Sequence, residues 1–117
     1  MRKKILIIDD ESDTRNFLKS LFEDNGYEAV TASDGVLGLH AVKEENPDLI
    51  TLDIQMPNNT GTDFFRKIHN DKKHKDTPII IVSGVAGRNL VSRRPVPVFD
   101  KPIDKDELLK AVKAATG

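Results

Sequence analysis

Ile5-Leu6-Ile7-Ile8-Asp9-Asp10-Glu11 decides the fold. Four apolar residues in a row, without alternation, make a strand covered on both faces, as in a parallel sheet flanked by helices. Three acidic residues then end it abruptly. The pattern returns in Ile79-Ile80-Ile81-Val82, followed by Ser83-Gly84, and in Leu49-Ile50-Thr51-Leu52, which runs into Asp53. Tyr27-Glu28-Ala29-Val30-Thr31-Ala32 is a more polar strand, and Val96-Pro97-Val98-Phe99 a proline-bearing one. Proline inside a strand confines it to a sheet edge.

Helical spacing fills the intervals. Phe17, Leu18, Leu21 and Phe22 repeat along one helix, which Ser12 or Asp13 would cap and Asp24-Asn25-Gly26 would stop. Ser33-Asp34-Gly35 opens a second helix with Gly38, Leu39 and Val42 inward and Val36 and Leu37 outward. A third starts near Gly61 and buries Phe64, Ile68 and Phe65 before the basic run Asn70 to Lys75, read as a solvated helix end. The last starts at Asp104, which with Glu107 resembles a capping box, and buries Leu108, Leu109 and Val112. Strand and helix alternate five times, which implies an α/β, doubly wound, five-stranded parallel sheet. The apolar first and fourth strands belong inside and the polar second and proline-bearing fifth at the edges. Order 2-1-3-4-5 satisfies both demands.

At 117 residues one domain, 1–117, is expected, with no output domain attached. Its 18 basic and 19 acidic residues give no global pull toward nucleic acid or an anionic membrane. Without cysteine there is no disulfide framework and no thiolate metal site. The apolar run after Met1-Arg2-Lys3-Lys4 is too short for a signal peptide or a membrane span, so a cytoplasmic location is expected.

In the order 2-1-3-4-5, Asp9, Asp10 and Asp53 share the crevice where the chain reverses direction, the place where open α/β sheets hold ligands. Three carboxylates in one crevice repel one another and raise each other's pKa unless a cation sits among them. Hard oxygen donors without His or Cys suit Mg²⁺. Asp10 and Asp53 would be direct ligands, Asp9 a direct or water-mediated one, and the backbone carbonyl of Gln55 a fourth. Asp53 would be the nucleophile toward phosphorus. Lys101, ending the fifth strand, would hold one phosphoryl oxygen as a mobile point charge, and the Ser83 hydroxyl another.

Together Ile5 to Glu11, Asp34-Gly35, Asp53-Ile54-Gln55-Met56-Pro57 with Gly61, Ser83-Gly84 and Lys101-Pro102 strongly resemble the receiver domain of bacterial two-component response regulators. The resemblance runs from Met1 to about Thr116 and implies the flavodoxin-like fold. It implies that Asp53 takes a phosphoryl group from a phosphohistidine on a sensor histidine kinase or phosphotransfer protein, with Mg²⁺ present. It implies that phosphorylation then changes the face presented to a downstream effector. No chemistry on other substrates, no direct nucleic acid binding and no membrane insertion are expected.

Two positions depart from that family. Val98 stands where an aromatic residue is common, and strand alternation sends Phe99 to the opposite face. The segment from Gly84 to Pro95 barely supplies a crossover, so helix 4 should be short or irregular. A flavin-binding relative of the fold is disfavoured because Asp9-Asp10-Glu11 would repel a phosphate. An aspartyl phosphatase is disfavoured because no aspartate stands two residues after Asp9. The remaining rival is a scaffold of the same fold that acts by protein contact without phosphorylation.

Overall fold

A computed structural model of the chain describes residues 2–54, 56–83 and 98–117, while the side chains of Asn59, Ser83 and Asp100 fall outside that description. Strands β1 (Lys4–Ile8), β2 (Glu28–Ala32), β3 (Leu49–Leu52), β4 (Ile79–Ser83) and β5 (Val98–Asp100) form one parallel sheet in the order β2-β1-β3-β4-β5. The described helices are α1 (Ser12–Asp24), α2 (Gly35–Glu45), α3 (Thr60–His69) and α4 (Lys105–Thr116). The expected topology is the observed one, with polar β2 and short β5 at the edges.

Strand alternation divides the core into two layers. Leu6, Ile8, Ile50, Leu52 and Ile81 face one side, where Val42 of α2 and Phe64 and Ile68 of α3 cover them. Ile5, Ile7, Leu49, Ile80 and Val82 face the other, against Leu18 and Phe22 of α1 and Leu108 and Val112 of α4. Burying each such side chain stabilises the fold by about 1.5–3 kcal/mol, which explains why strands with no polar face are tolerated. Val98 packs on the first layer and Phe99 on the second, as alternation requires.

The helix starts follow from local acceptors. Asp34 Oδ1 accepts from the Leu37 amide at 2.8 Å. Asp104 Oδ1 accepts from the Asp106 and Glu107 amides at 3.0 and 3.2 Å, which forms the aspartate half of the expected capping box. Each cap is worth about 1 kcal/mol.

Other boundaries differ from expectation. Glu11, not Ser12 or Asp13, stands at the N-cap position of helix α1; its side chain makes no capping bond, and the Asp9 carboxylate accepts from its amide. Phe17 is 43% exposed, since only Leu18 and Phe22, one turn apart, enter the core fully. The basic run after α3 is not wholly solvated: His74 is buried while Lys72, Lys73 and Lys75 are exposed. The third helix begins at Thr60, next to Gly61 as expected. The expected short helix 4, Val96 and Pro97 fall outside the described residues.

One core position is chemically mismatched. Thr51 stands between Ile7 and Ile80 in the sheet, and its buried hydroxyl finds no hydrogen-bond partner among the described residues. An unsatisfied buried hydroxyl costs about 1–3 kcal/mol. Thr51→Val keeps the branched shape and removes that cost. It should raise the urea midpoint by the equivalent of about 1 kcal/mol with an unchanged slope.

Candidate functional site

The sheet register gathers the acidic residues. Ile8 lies beside Leu52, and the Asp53 amide donates to the Ile8 carbonyl at 2.9 Å, so Asp9 and Asp53 leave adjacent strand ends. One carboxylate oxygen from each of Asp9, Asp10 and Asp53 lies within 4.8 Å of the others. The turn carrying Asp9 is held firmly. Its Oδ1 accepts from the Glu11 amide at 2.9 Å, and Arg15 Nη1 donates to its carbonyl at 2.7 Å.

The far side of the site comes from β4 and β5. Ser83 pairs with Asp100, which puts the end of β4 beside the strand that delivers Lys101. Lys101 Nζ lies 2.7 Å from Glu11 Oε1, 3.2 Å from Asp9 Oδ2 and 3.4 Å from Asp53 Oδ2. Backbone geometry therefore brings Asp9, Asp10, Asp53, Lys101 and the Ser83 strand end together. The Gln55 carbonyl lies outside the described residues.

Burial and charge oppose each other here. Burial, the largest influence on Asp9, raises its pKa above 3.8 despite the Glu11 amide and Lys101. The cause is desolvation more than the mutual repulsion expected from sequence. Burial also disfavours the Lys101 ammonium, but the hydrogen bond to Glu11 and the charges of Asp53 and Asp9 outweigh it, so its pKa is raised. The hydrogen bond to Lys101 lowers the Glu11 pKa. Three clustered carboxylates balanced chiefly by one ammonium fit an additional hard cation. The all-oxygen donor set suits Mg²⁺.

Access differs from expectation. A nucleophile at the rim of the sheet should meet solvent, yet the Asp53 side chain is only 4% exposed. The Lys101 ammonium lies against it.

Two residues beside the site escaped sequence reading. Glu11 is the nearest partner of Lys101 across 90 positions. Phe17 lines a groove of about 390 Å³ with Glu11, Asp13, Thr14, Lys101, Pro102 and Ile103, at the side of the acidic site.

Known proteins match this chain in sequence and in fold. The family model for the response regulator receiver domain matches residues 5–113. Sporulation initiation phosphotransferase F of Bacillus subtilis is 30% identical over 97% of this chain and 93% of its own. The CAI-1 autoinducer sensor kinase/phosphatase CqsS of Vibrio cholerae is 38% identical over 96% of this chain, which spans only 17% of that protein. Among solved structures, the Vibrio cholerae chemotaxis protein CheY4 superposes with a TM-score of 0.86 at 26% identity, over 98% of this chain and 99% of its own.

Proposed function

This chain belongs to the response regulator receiver domain family, and from that premise we propose that Asp53 accepts a phosphoryl group from a phosphohistidine donor protein. Receiver domains are signalling modules of two-component systems. The observation that carries the reading is the meeting of Asp9, Asp10 and Asp53 with Lys101 in one crevice. Residues 1–117 would act as one receiver unit in the cytoplasm, passing the signal to an effector by protein contact and not through nucleic acid. No helix among the described residues is long and apolar enough to cross a membrane.

In the transfer, an Asp53 carboxylate oxygen forms a bond to phosphorus as the phosphorus–nitrogen bond of phosphohistidine breaks. The leaving imidazole nitrogen takes a proton. Lys101 and the Ser83 hydroxyl would each hold a phosphoryl oxygen. Asp10 and Asp53, with Asp9 directly or through water, would hold Mg²⁺, which would supply neutralisation of the charge on the transferred group. The chain does nothing catalytic beyond its own phosphorylation and dephosphorylation.

The test is incubation with Mg²⁺ and acetyl phosphate followed by intact mass measurement. A single phosphoryl adduct is expected. No adduct would favour the phosphorylation-independent scaffold, which Val98, already packed into the core in place of a mobile aromatic, otherwise recommends.

A donor protein must bring its phosphohistidine to the mouth of the site, and the groove beside Phe17 supports docking there. Exposed aromatics that fill a partner's pocket are common centres of binding energy. Phe17→Ala should slow transfer from a phosphorylated donor protein by about tenfold while leaving phosphorylation by acetyl phosphate unchanged. Equal slowing with both donors would remove Phe17 from the docking surface.

A further inference from the structure

We infer that Glu11 is a positioning residue that holds Lys101 across the mouth of the acidic site, so that their ion pair opposes phosphorylation until it breaks. This rests on Asp53 being the phosphoryl acceptor and adds a regulatory element to that site. Side-chain exposure climbs from 4% at Asp53 to 24% at Lys101 and 61% at Glu11, an interior-to-surface chain of alternating charge. The ammonium sits nearest its outermost partner, at 2.7 Å against 3.4 Å to Asp53.

An ammonium has three donors. Here carboxylate oxygens of Glu11, Asp9 and Asp53 surround it. To bind an incoming phosphoryl oxygen Lys101 must release one of them. Asp9 and Asp53 are buried, so water cannot readily take the ammonium's place at either. Glu11 is exposed and water can replace the ammonium there, so Glu11 is the partner that lets go.

The backbone that carries Glu11 is held in place. The Glu11 amide is held by Asp9 Oδ1 at 2.9 Å, and its carbonyl accepts from the Arg15 amide at 3.0 Å.

The experiment follows phosphorylation by acetyl phosphate with saturating Mg²⁺, in wild type, Glu11→Gln and Glu11→Asp, by intact mass. In each turnover the bond from Asp53 oxygen to phosphorus forms, the acyl phosphate bond breaks and acetate leaves. Glu11→Gln should react about three- to fivefold faster at low salt, the scale of one exposed ion pair, with the gain fading as salt screens the wild-type pair. Glu11→Asp keeps the charge but is one methylene too short for the contact, and should be as fast as Glu11→Gln. A Glu11→Gln protein no faster than wild type, or a Glu11→Asp protein as slow as wild type, would overturn the latch. Should wild type take up no phosphoryl group, the acceptor reading fails. The latch is then judged by the ¹⁵N signal of the Lys101 ammonium. A shifted signal in Glu11→Gln supports the pair, and an unchanged one overturns it.

Discussion

Asp53→Asn should take up no phosphoryl group from acetyl phosphate under conditions that fully label the wild type. The amide matches the carboxylate in size, so the packing around this buried position is kept, and circular dichroism should be unaltered. It removes the attacking anion and a cation ligand together. The alternative acceptors are Asp9 and Asp10, and the sheet argues against both. Asp9 has one oxygen fixed by the Glu11 amide and the other turned toward Lys101. Asp10 is exposed and belongs to the turn after β1. Asp53 follows β3, the central strand, with the acidic turn on one side and the Ser83 strand end on the other. It alone among the three aspartates stands between the acidic turn and the β4 strand end. A second readout keeps the result interpretable. At ten times its dissociation constant, Mg²⁺ should stabilise the wild type by about 1.4 kcal/mol. Asp53→Asn should show much less stabilisation at the same concentration. An adduct surviving in Asp53→Asn would move the acceptor to Asp9 or Asp10.

The sheet was legible because its signals are local. Continuous apolar runs at Ile5 and Ile79 mark interior strands, the polarity of β2 marks an edge, and Asp34 and Asp104 announce helix starts within three residues of the amides they bind. Asp9, Asp10, Asp53 and Lys101 were legible once the strand order was known, because each closes a strand at the same end of the sheet. What stayed hidden depends on contacts between distant segments. Phe17 shares helical spacing with Leu18, Leu21 and Phe22, and periodicity cannot reveal that Pro102 and Ile103 leave an open groove beside it. Glu11 read as part of the acidic turn, and its pairing with Lys101 stayed hidden because that partner stands 90 residues away. His74 sits in a run whose charge implied solvent, yet the turn after α3 folds it inward while its lysine neighbours stay out. The burial of Asp53 runs against the solvent access that an acceptor needs, and the sequence could not show it, because a strand end fixes where a carboxylate starts and not what lies over it.

Gly61→Ala should destabilise the protein by about 3 kcal/mol or more and impair phosphorylation at the same time. In an open helix the change would help, since alanine is favoured over glycine by about 1 kcal/mol. Here the first turn of α3 lies directly on the chain leaving β3. A Cβ on Gly61 would come within 2.5 Å of the Asp53 carbonyl oxygen, 2.7 Å of the Ile54 carbonyl oxygen and 2.9 Å of the Ile54 Cα. All three are backbone atoms, which cannot rotate aside as a side-chain tip could. Either α3 lifts from the sheet and opens the layer around Phe64 and Ile68, or the turn after Asp53 shifts and carries the carboxylate with it. The steric cost therefore exceeds the propensity gain, and it falls on the site as well as on the core. Gly26→Ala provides the contrast. Gly26 has φ +90° with nothing within 4 Å of its missing Cβ, so alanine there meets only backbone strain, about 1–2 kcal/mol. That variant should lose stability but keep wild-type phosphorylation in conditions where it is folded. Urea unfolding and intact mass on both variants separate the two causes. A Gly61→Ala protein as stable and as reactive as wild type would show that α3 does not press on the turn that carries Asp53.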